Sequence, residues 1–224
     1  MKQKLLRITI FIQIVICIQS VNFVQAQQPY LVKDINPTTN PNSDLAFLTN
    51  VNGVLFFSAN KATSSGNELW KTDGTTLGTV LVKDINPGSS GSNPSNLTNV
   101  NGVLFFTADN AINGKELWKT DGTTAGTVLV KDIYSGAVDS DPYYLTNVNG
   151  ILFFEATDAT NGDELWKSDG TAGGTVLVKD IYSGTANSDP SRLTNVNGVL
   201  FFTAANAING IELWKTDGTL QVLF

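Results

Sequence analysis

Histidine is absent from the 224 residues, and cysteine and methionine occur once each. Without imidazole there is no Ser-His-Asp triad, no histidine base and no His-ligated zinc, iron or copper. A single cysteine excludes an intrachain disulfide framework and any thiolate-rich metal site. Cations are scarce: 14 Lys and Arg stand against 20 Asp and Glu, a net charge of −6. That balance argues against a nucleic-acid partner, whose phosphates need a basic surface. Charged residues are only 15% and hydrophobic ones 42%, which excludes a disordered acidic tail. Long apolar runs are missing too. Ile8–Ile18 is shorter than the roughly 20 residues that span a bilayer, and nothing later in the chain looks transmembrane, so no membrane insertion of the mature chain is expected.

What stands at the N-terminus reads as an address. Lys2, Lys4 and Arg7 form a basic start, the apolar run follows, and Val24-Gln25-Ala26 places short residues at a cleavage point. This is the layout of a secretory signal peptide over residues 1–26. The expected location is therefore secreted, extracellular, at the cell surface or periplasmic. Cleavage there removes the only cysteine and methionine, so packing alone must hold the remainder together.

Residues 27–224 are one unit copied. Glu-Leu-Trp begins at Glu68, Glu116, Glu164 and Glu212, always 48 residues apart. Leu-Thr-Asn-Val-Asn-Gly begins at Leu48, Leu97, Leu145 and Leu193, and Val-Lys-Asp-Ile at Val32, Val82, Val130 and Val178. A period in this range marks propellers, solenoids and arrays. Each period reads as four short strands. A strand near Leu97–Val100 turns at Asn101-Gly102 into Val103–Ala108, because both turn residues accept φ > 0. Val-Leu-Phe-Phe is apolar on both faces, as suits a central strand packed between two neighbours. Glu116–Thr120 and Thr127–Ile133 supply the third and fourth strands, separated by the turn Asp121-Gly122-Thr123. The expected fold is all-β: a β-propeller-like array of four four-stranded repeats, about 48–96, 97–144, 145–192 and 193–219. Residues 30–35 carry a lone fourth-strand sequence and 193–219 lack one. Either this strand closes a four-bladed ring, removing an open edge, or the array is an open fragment of a larger propeller.

The string Glu-Leu-Trp-Lys-Thr-Asp-Gly-Thr, with Gly-Thr-Val-Leu-Val-Lys-Asp-Ile after it, resembles the ELWxxDGT-repeat proteins of bacteria over essentially all of residues 27–224. Glu116, Leu117, Trp118, Asp121, Gly122 and Thr123 carry the match, with counterparts in the other copies. The resemblance implies an exported, propeller-like protein, and implies no particular activity. The family's members are larger, often with a separate sorting region. One permitted coding of Thr-Ala-Gly-Thr-Val-Leu-Val, after loss of one base, reads Leu-Gln-Val-Leu-Phe-stop, the string at Leu220–Phe224. The reading frame is thus either a frameshift-truncated piece of a longer array or a naturally short chain with a divergent tail.

Carboxylates and aromatics that recur in every copy are expected to maintain the copy. This covers Glu68, Glu116, Glu164 and Glu212, the Asp of each Asp-Gly-Thr turn, and Trp70, Trp118, Trp166 and Trp214. No catalytic residue is assigned. Variation concentrates in the connections between fourth and first strands, where Tyr134, Tyr143, Tyr144, Tyr182 and Arg192 are the candidate binding residues, since aromatic and Arg side chains on loops favour recognition. Asp158, Asn161 and Asp163 offer hard oxygen ligands before Glu164, so calcium is the cofactor this chemistry would take, although no calcium-loop motif occurs. The expected role is a non-catalytic module binding an extracellular protein or glycan, or serving a structural surface role. The alternatives are a carbohydrate-active propeller using the unrepeated Glu155, Asp158 or Asp163, or a nonfunctional fragment. Oligomeric state is left open.

Overall fold

The computed structural model describes residues 28–38, 42–61 and 65–218. The expected signal peptide, residues 1–26, and the divergent tail Leu220–Phe224 lie outside them. Leu31–Phe224 makes one compact unit; of the other, Met1–Tyr30, only residues 28–30 are described, and they have no regular structure.

The described chain is all-β, in four antiparallel sheets that follow one another along the sequence. Blade 1 holds β1 (Ala46–Val51), β2 (Val54–Asn60), β3 (Asn67–Thr72) and β4 (Val80–Lys83). Blade 2 holds β5 (Ser95–Val100), β6 (Val103–Asp109), β7 (Lys115–Thr120) and β8 (Val128–Lys131). Blade 3 holds β9 (Tyr143–Val148), β10 (Ile151–Asp158), β11 (Gly162–Ser168) and β12 (Val176–Lys179). Blade 4 has three described strands, β13 (Ser191–Val196), β14 (Val199–Asn206) and β15 (Gly210–Thr216). Each first strand turns into the second at Asn-Gly, with Asn52, Asn101, Asn149 and Asn197 at φ 51–52° and the glycines after them also positive.

The paired phenylalanines divide their work between two interfaces. Phe106 faces back into a cluster with Val51, Phe56, Leu69, Val82 and Ile85 of blade 1. Phe105 faces forward into a cluster with Leu152, Phe154 and Trp166 of blade 3. Both rings are buried, as a two-sided apolar strand requires. Each full burial stabilises by about 1.5–3 kcal/mol.

The motif itself is a set of internal ties. Glu116 is buried, and its carboxylate accepts from the backbone N–H of Ile133 and Ser140 and from the Ser140 hydroxyl, pinning the passage out of strand four. Glu68 does the same with Ile85 and Ser92, and Glu164 accepts from the backbone N–H of Ile181 and Tyr182 and from the Ser188 hydroxyl. In the Asp-Gly-Thr turn, Asp121 Oδ1 accepts from Thr123 N–H at 2.8 Å and from its hydroxyl at 2.7 Å. The Thr120 and Thr127 hydroxyls meet at 2.7 Å, tying strand three to strand four. Gly126 lies so close to Asp121 that a Cβ would strike the carboxylate, so the motif needs glycine at this step.

First strands stand side by side in chain order. The hydroxyls of Thr49, Thr98 and Thr146 lie 3.3, 3.2 and 3.4 Å from the leucine carbonyl of the next first strand, and the amides of Asn99, Asn147 and Asn195 donate back to the preceding one. The strand expected from residues 30–35 is not one here: Leu31–Ile35 is irregular and pairs with no strand of blade 4. It lies on blade 1, where Ile35 joins Phe57, Ala59 and Trp70. The described residues therefore form an open array, with no closed ring.

Candidate functional site

Every first strand carries a bulge immediately before its conserved Leu-Thr-Asn-Val string. In blade 1 the register shifts between Ala46 and Thr49, and blades 2–4 repeat this. The residue in the bulge takes a left-handed backbone: Phe47 (φ 56°), Asn96 (55°), Tyr144 (54°) and Arg192 (57°). Asparagine tolerates this, whereas Phe, Tyr and Arg are held there at a cost of about 1–3 kcal/mol each. The threonine two residues on braces each bulge by donating to its carbonyl, as Thr146 does to Tyr144 at 2.8 Å. Thr49, Thr98 and Thr194 make the same bond.

These four positions converge. Phe47, Asn96, Tyr144 and Arg192 line one open cavity of about 330 Å³, together with the Leu that follows each of them and with Thr49, Thr98 and Thr146. Its frame is identical in every blade, while its four pointing residues differ in every blade: an aromatic hydrocarbon, an amide, a phenol and a guanidinium. Phe47 is 48% exposed and Tyr144 40%, and Arg192 is exposed too. Such a set can stack on an apolar or sugar face and hydrogen-bond or pair with an anionic group.

Of the five binding candidates named from the sequence, Tyr144 and Arg192 share this cavity. Tyr143 packs edge-on against Tyr144, ring centroids 4.7 Å apart, without lining it. Tyr134 and Tyr182 lie elsewhere, half-buried where strand four leaves the blade, with their backbone N–H groups directed at Glu116 and Glu164. Phe47 and Asn96 were missed. The signal for them is the single variable residue that precedes each copy of an invariant hexapeptide.

A second cluster gathers three carboxylates, of which Glu155 and Asp163 have no acidic counterpart in the other copies. Oxygens of Glu155, Asp163 and Asp189 all lie within 4.8 Å of one another. Glu155 occupies the place where Thr107 and Thr203 meet Ser95 and Ser191 hydroxyl to hydroxyl at 2.7 and 2.9 Å. Burial, then repulsion from Asp163, Asp189 and Asp141, pushes its carboxyl up to about 7. Asp163 is raised as well, by burial first. The calcium candidates Asp158, Asn161 and Asp163 do not form one set. Asp158 closes its own loop by accepting from Thr160 N–H, Asn161 N–H and the Asn161 amide. Asp163 turns instead to Asn187, at 2.9 Å.

Neither a protein-family model nor a curated protein matches the chain. Among solved structures it is similar to puromycin hydrolase, both free and as a mutant complexed with PGG. Each shows a TM-score of 0.50 at 15% identity, covering 73% of this chain and 25% of that one. The chain thus spans about a quarter of the length of those proteins, and the likeness is one of fold. A GH43 endo-arabinanase from Bacillus licheniformis also matches, at 19% identity and a TM-score of 0.29, over 75% of this chain and 71% of that one.

Proposed function

We propose that this protein is an exported, non-catalytic recognition module that binds a protein or glycan ligand in the cavity between its first strands. The observation that carries this reading is the convergence of Phe47, Asn96, Tyr144 and Arg192, one variable residue per repeat on a strained, braced and otherwise invariant frame. Backbone strain at Phe47, Tyr144 and Arg192 is compensated by the fold around it, and it aims side chains that contribute little to the core. Glu68, Glu116 and Glu164 hold crossovers, and Asp73, Asp121 and Asp169 hold turns, so these repeated carboxylates make no asymmetric acid/base pair.

The test is a binding screen of immobilised glycans and extracellular proteins, followed by Tyr144→Ala and Arg192→Ala. Loss of roughly tenfold or more in affinity for each, with unchanged thermal stability, is expected for side chains at the centre of a contact. Ligands whose binding is untouched by both variants would remove the cavity from consideration. The carbohydrate-active alternative has one observation in its favour, the raised Glu155 beside Asp163 and Asp189. Turnover of a chromogenic glycoside that disappears in Glu155→Gln would replace the binding reading with the enzymatic one.

A further inference from the structure

Among the described residues the two end blades differ from the inner ones in complementary ways. At the blade 4 end, the face that should meet a next blade is open: Val196 is 46% exposed, Ile211 75% and Leu213 72%. Glu212 is exposed, whereas Glu68, Glu116 and Glu164 are buried under the fourth strand and the crossover after it. At the other end, Leu31–Ile35 sits on blade 1 as the fourth strand of a preceding blade would. Lys33 Nζ donates to Thr79 O, and the Thr76 hydroxyl donates to Val32 O. Those two bonds recur between blades 1 and 2 as Lys83 to Thr127 O and Thr124 to Val82 O.

The match extends to single contacts. Gly122, Gly170 and Gly218 each lie against a phenylalanine of the preceding blade, respectively Phe56, Phe105 and Phe153, whereas Gly74 has open space at that place. Phe201 is the phenylalanine that no glycine meets. Likewise Lys71 donates to Gly122 O and Lys167 to Gly218 O across two of the blade interfaces, and Lys215 and Gly74 O are the corresponding pair at the two ends. On the first-strand side, a Cβ on Gly102, Gly150 or Gly198 would meet Asn52, Asn101 or Asn149 of the preceding blade, and Gly53 again faces open space.

We propose that the open face of blade 4 docks the blade 1 end of a second copy of this chain, head to tail. Leu31–Ile35 of the second copy becomes the fourth strand of blade 4. In the register of the complete blades, where Leu165 pairs with Lys179 and Trp166 with Leu177, Leu213 stands opposite Lys33 and Trp214 opposite Leu31. Glu212 then receives the backbone of Ile35 and the Ser43 region, as Glu68 receives Ile85 and Ser92. The contact is heterologous, so it closes a ring if the blade rotations sum correctly and otherwise propagates.

The experiment uses chains carrying Cys17→Ser, so that only introduced thiols react. Lys33→Cys and Leu213→Cys are made separately, mixed and oxidised. A covalent dimer in the mixture, absent when either variant is oxidised alone, is expected. In the double variant the cross-link should join chains; a cross-link confined within monomers means that the chain closes on itself and overturns the proposal. Light scattering of the unmodified chain should show dimers or larger species. Phe201→Asp and Leu213→Asp should weaken association roughly tenfold or more, while Ile112→Asp, on a loop distant in sequence from either end face, leaves it unchanged. Circular dichroism of each variant reports that the blades remain folded. An unmodified chain that is monomeric at every concentration overturns the proposal.

Discussion

Leu165 and Leu213 occupy the same position of the same string, Glu-Leu-Trp, one repeat apart. Leu165 is 1% exposed and Leu213 is 72% exposed. Their glutamate neighbours diverge in the same way: Glu164 accepts bonds from Ile181, Tyr182 and Ser188, while Glu212 is exposed. The tryptophans also differ, for Trp214 donates its Nε1–H to Ala204 O at 2.9 Å whereas Trp166 Nε1 is buried with no partner. The motif therefore carries no environment of its own. Each unit is finished by its successor, as expected of an array whose stability is a sum of repeat and interface contributions.

The largest way to probe this difference is to truncate both leucines. Leu165→Ala should destabilise by about 2–5 kcal/mol, since it opens a cavity between blades 3 and 4. Leu213→Ala should change the stability of the monomer by less than about 0.5 kcal/mol. Urea unfolding at concentrations low enough to leave the chain monomeric measures both, and equal costs there would mean that Leu213 is covered within its own chain.

A smaller effect concerns Glu155, whose counterpart in blade 4 is the neutral Thr203. Its carboxyl is held near 7 in the folded chain by burial and neighbouring carboxylates, against an ordinary value of 4.5. Between those values the folded protein binds the proton more tightly than the unfolded chain. The stabilisation is therefore full below the unfolded value and is lost as pH rises through the folded one. Glu155→Gln should remove that loss, leaving the variant about 1 kcal/mol more stable than the parent at pH 8, a figure already reduced for solvent screening. A melting temperature equally pH-dependent in both proteins would assign the effect to Glu116, which burial also raises to about 7.

The smallest effect is at the Lys115–Asp141 pair, 2.8 Å apart and partly exposed, for which Ile211 in blade 4 offers no equivalent. Lys115→Ala should cost less than about 1 kcal/mol, and less in high salt.

The strands, their Asn-Gly turns and the two-sided burial of Phe105 and Phe106 were legible from the sequence because period, turn chemistry and apolar pattern are local. Half of the cavity was legible: Tyr144 and Arg192 stood out as aromatic and basic in a variable connection. Phe47 and Asn96 did not, because the criterion was residue chemistry rather than repeat position. Glu155 and Asp163 were legible as unrepeated carboxylates, but their meeting with Asp189 was not. Glu155 lies on β10, Asp163 on β11 and Asp189 in the passage to blade 4, and no spacing in one dimension brings these together.

By itself the sequence determined the unit: four strands, the glycines its turns demand, and a glutamate and an aspartate that recur at the same places in each copy. Only the tertiary structure decided which copies are complete, which face is left open, and which four side chains meet between the first strands. The physical reason is that a blade buries its apolar faces only against another blade. Equal strings therefore acquire unequal environments from their place in the array.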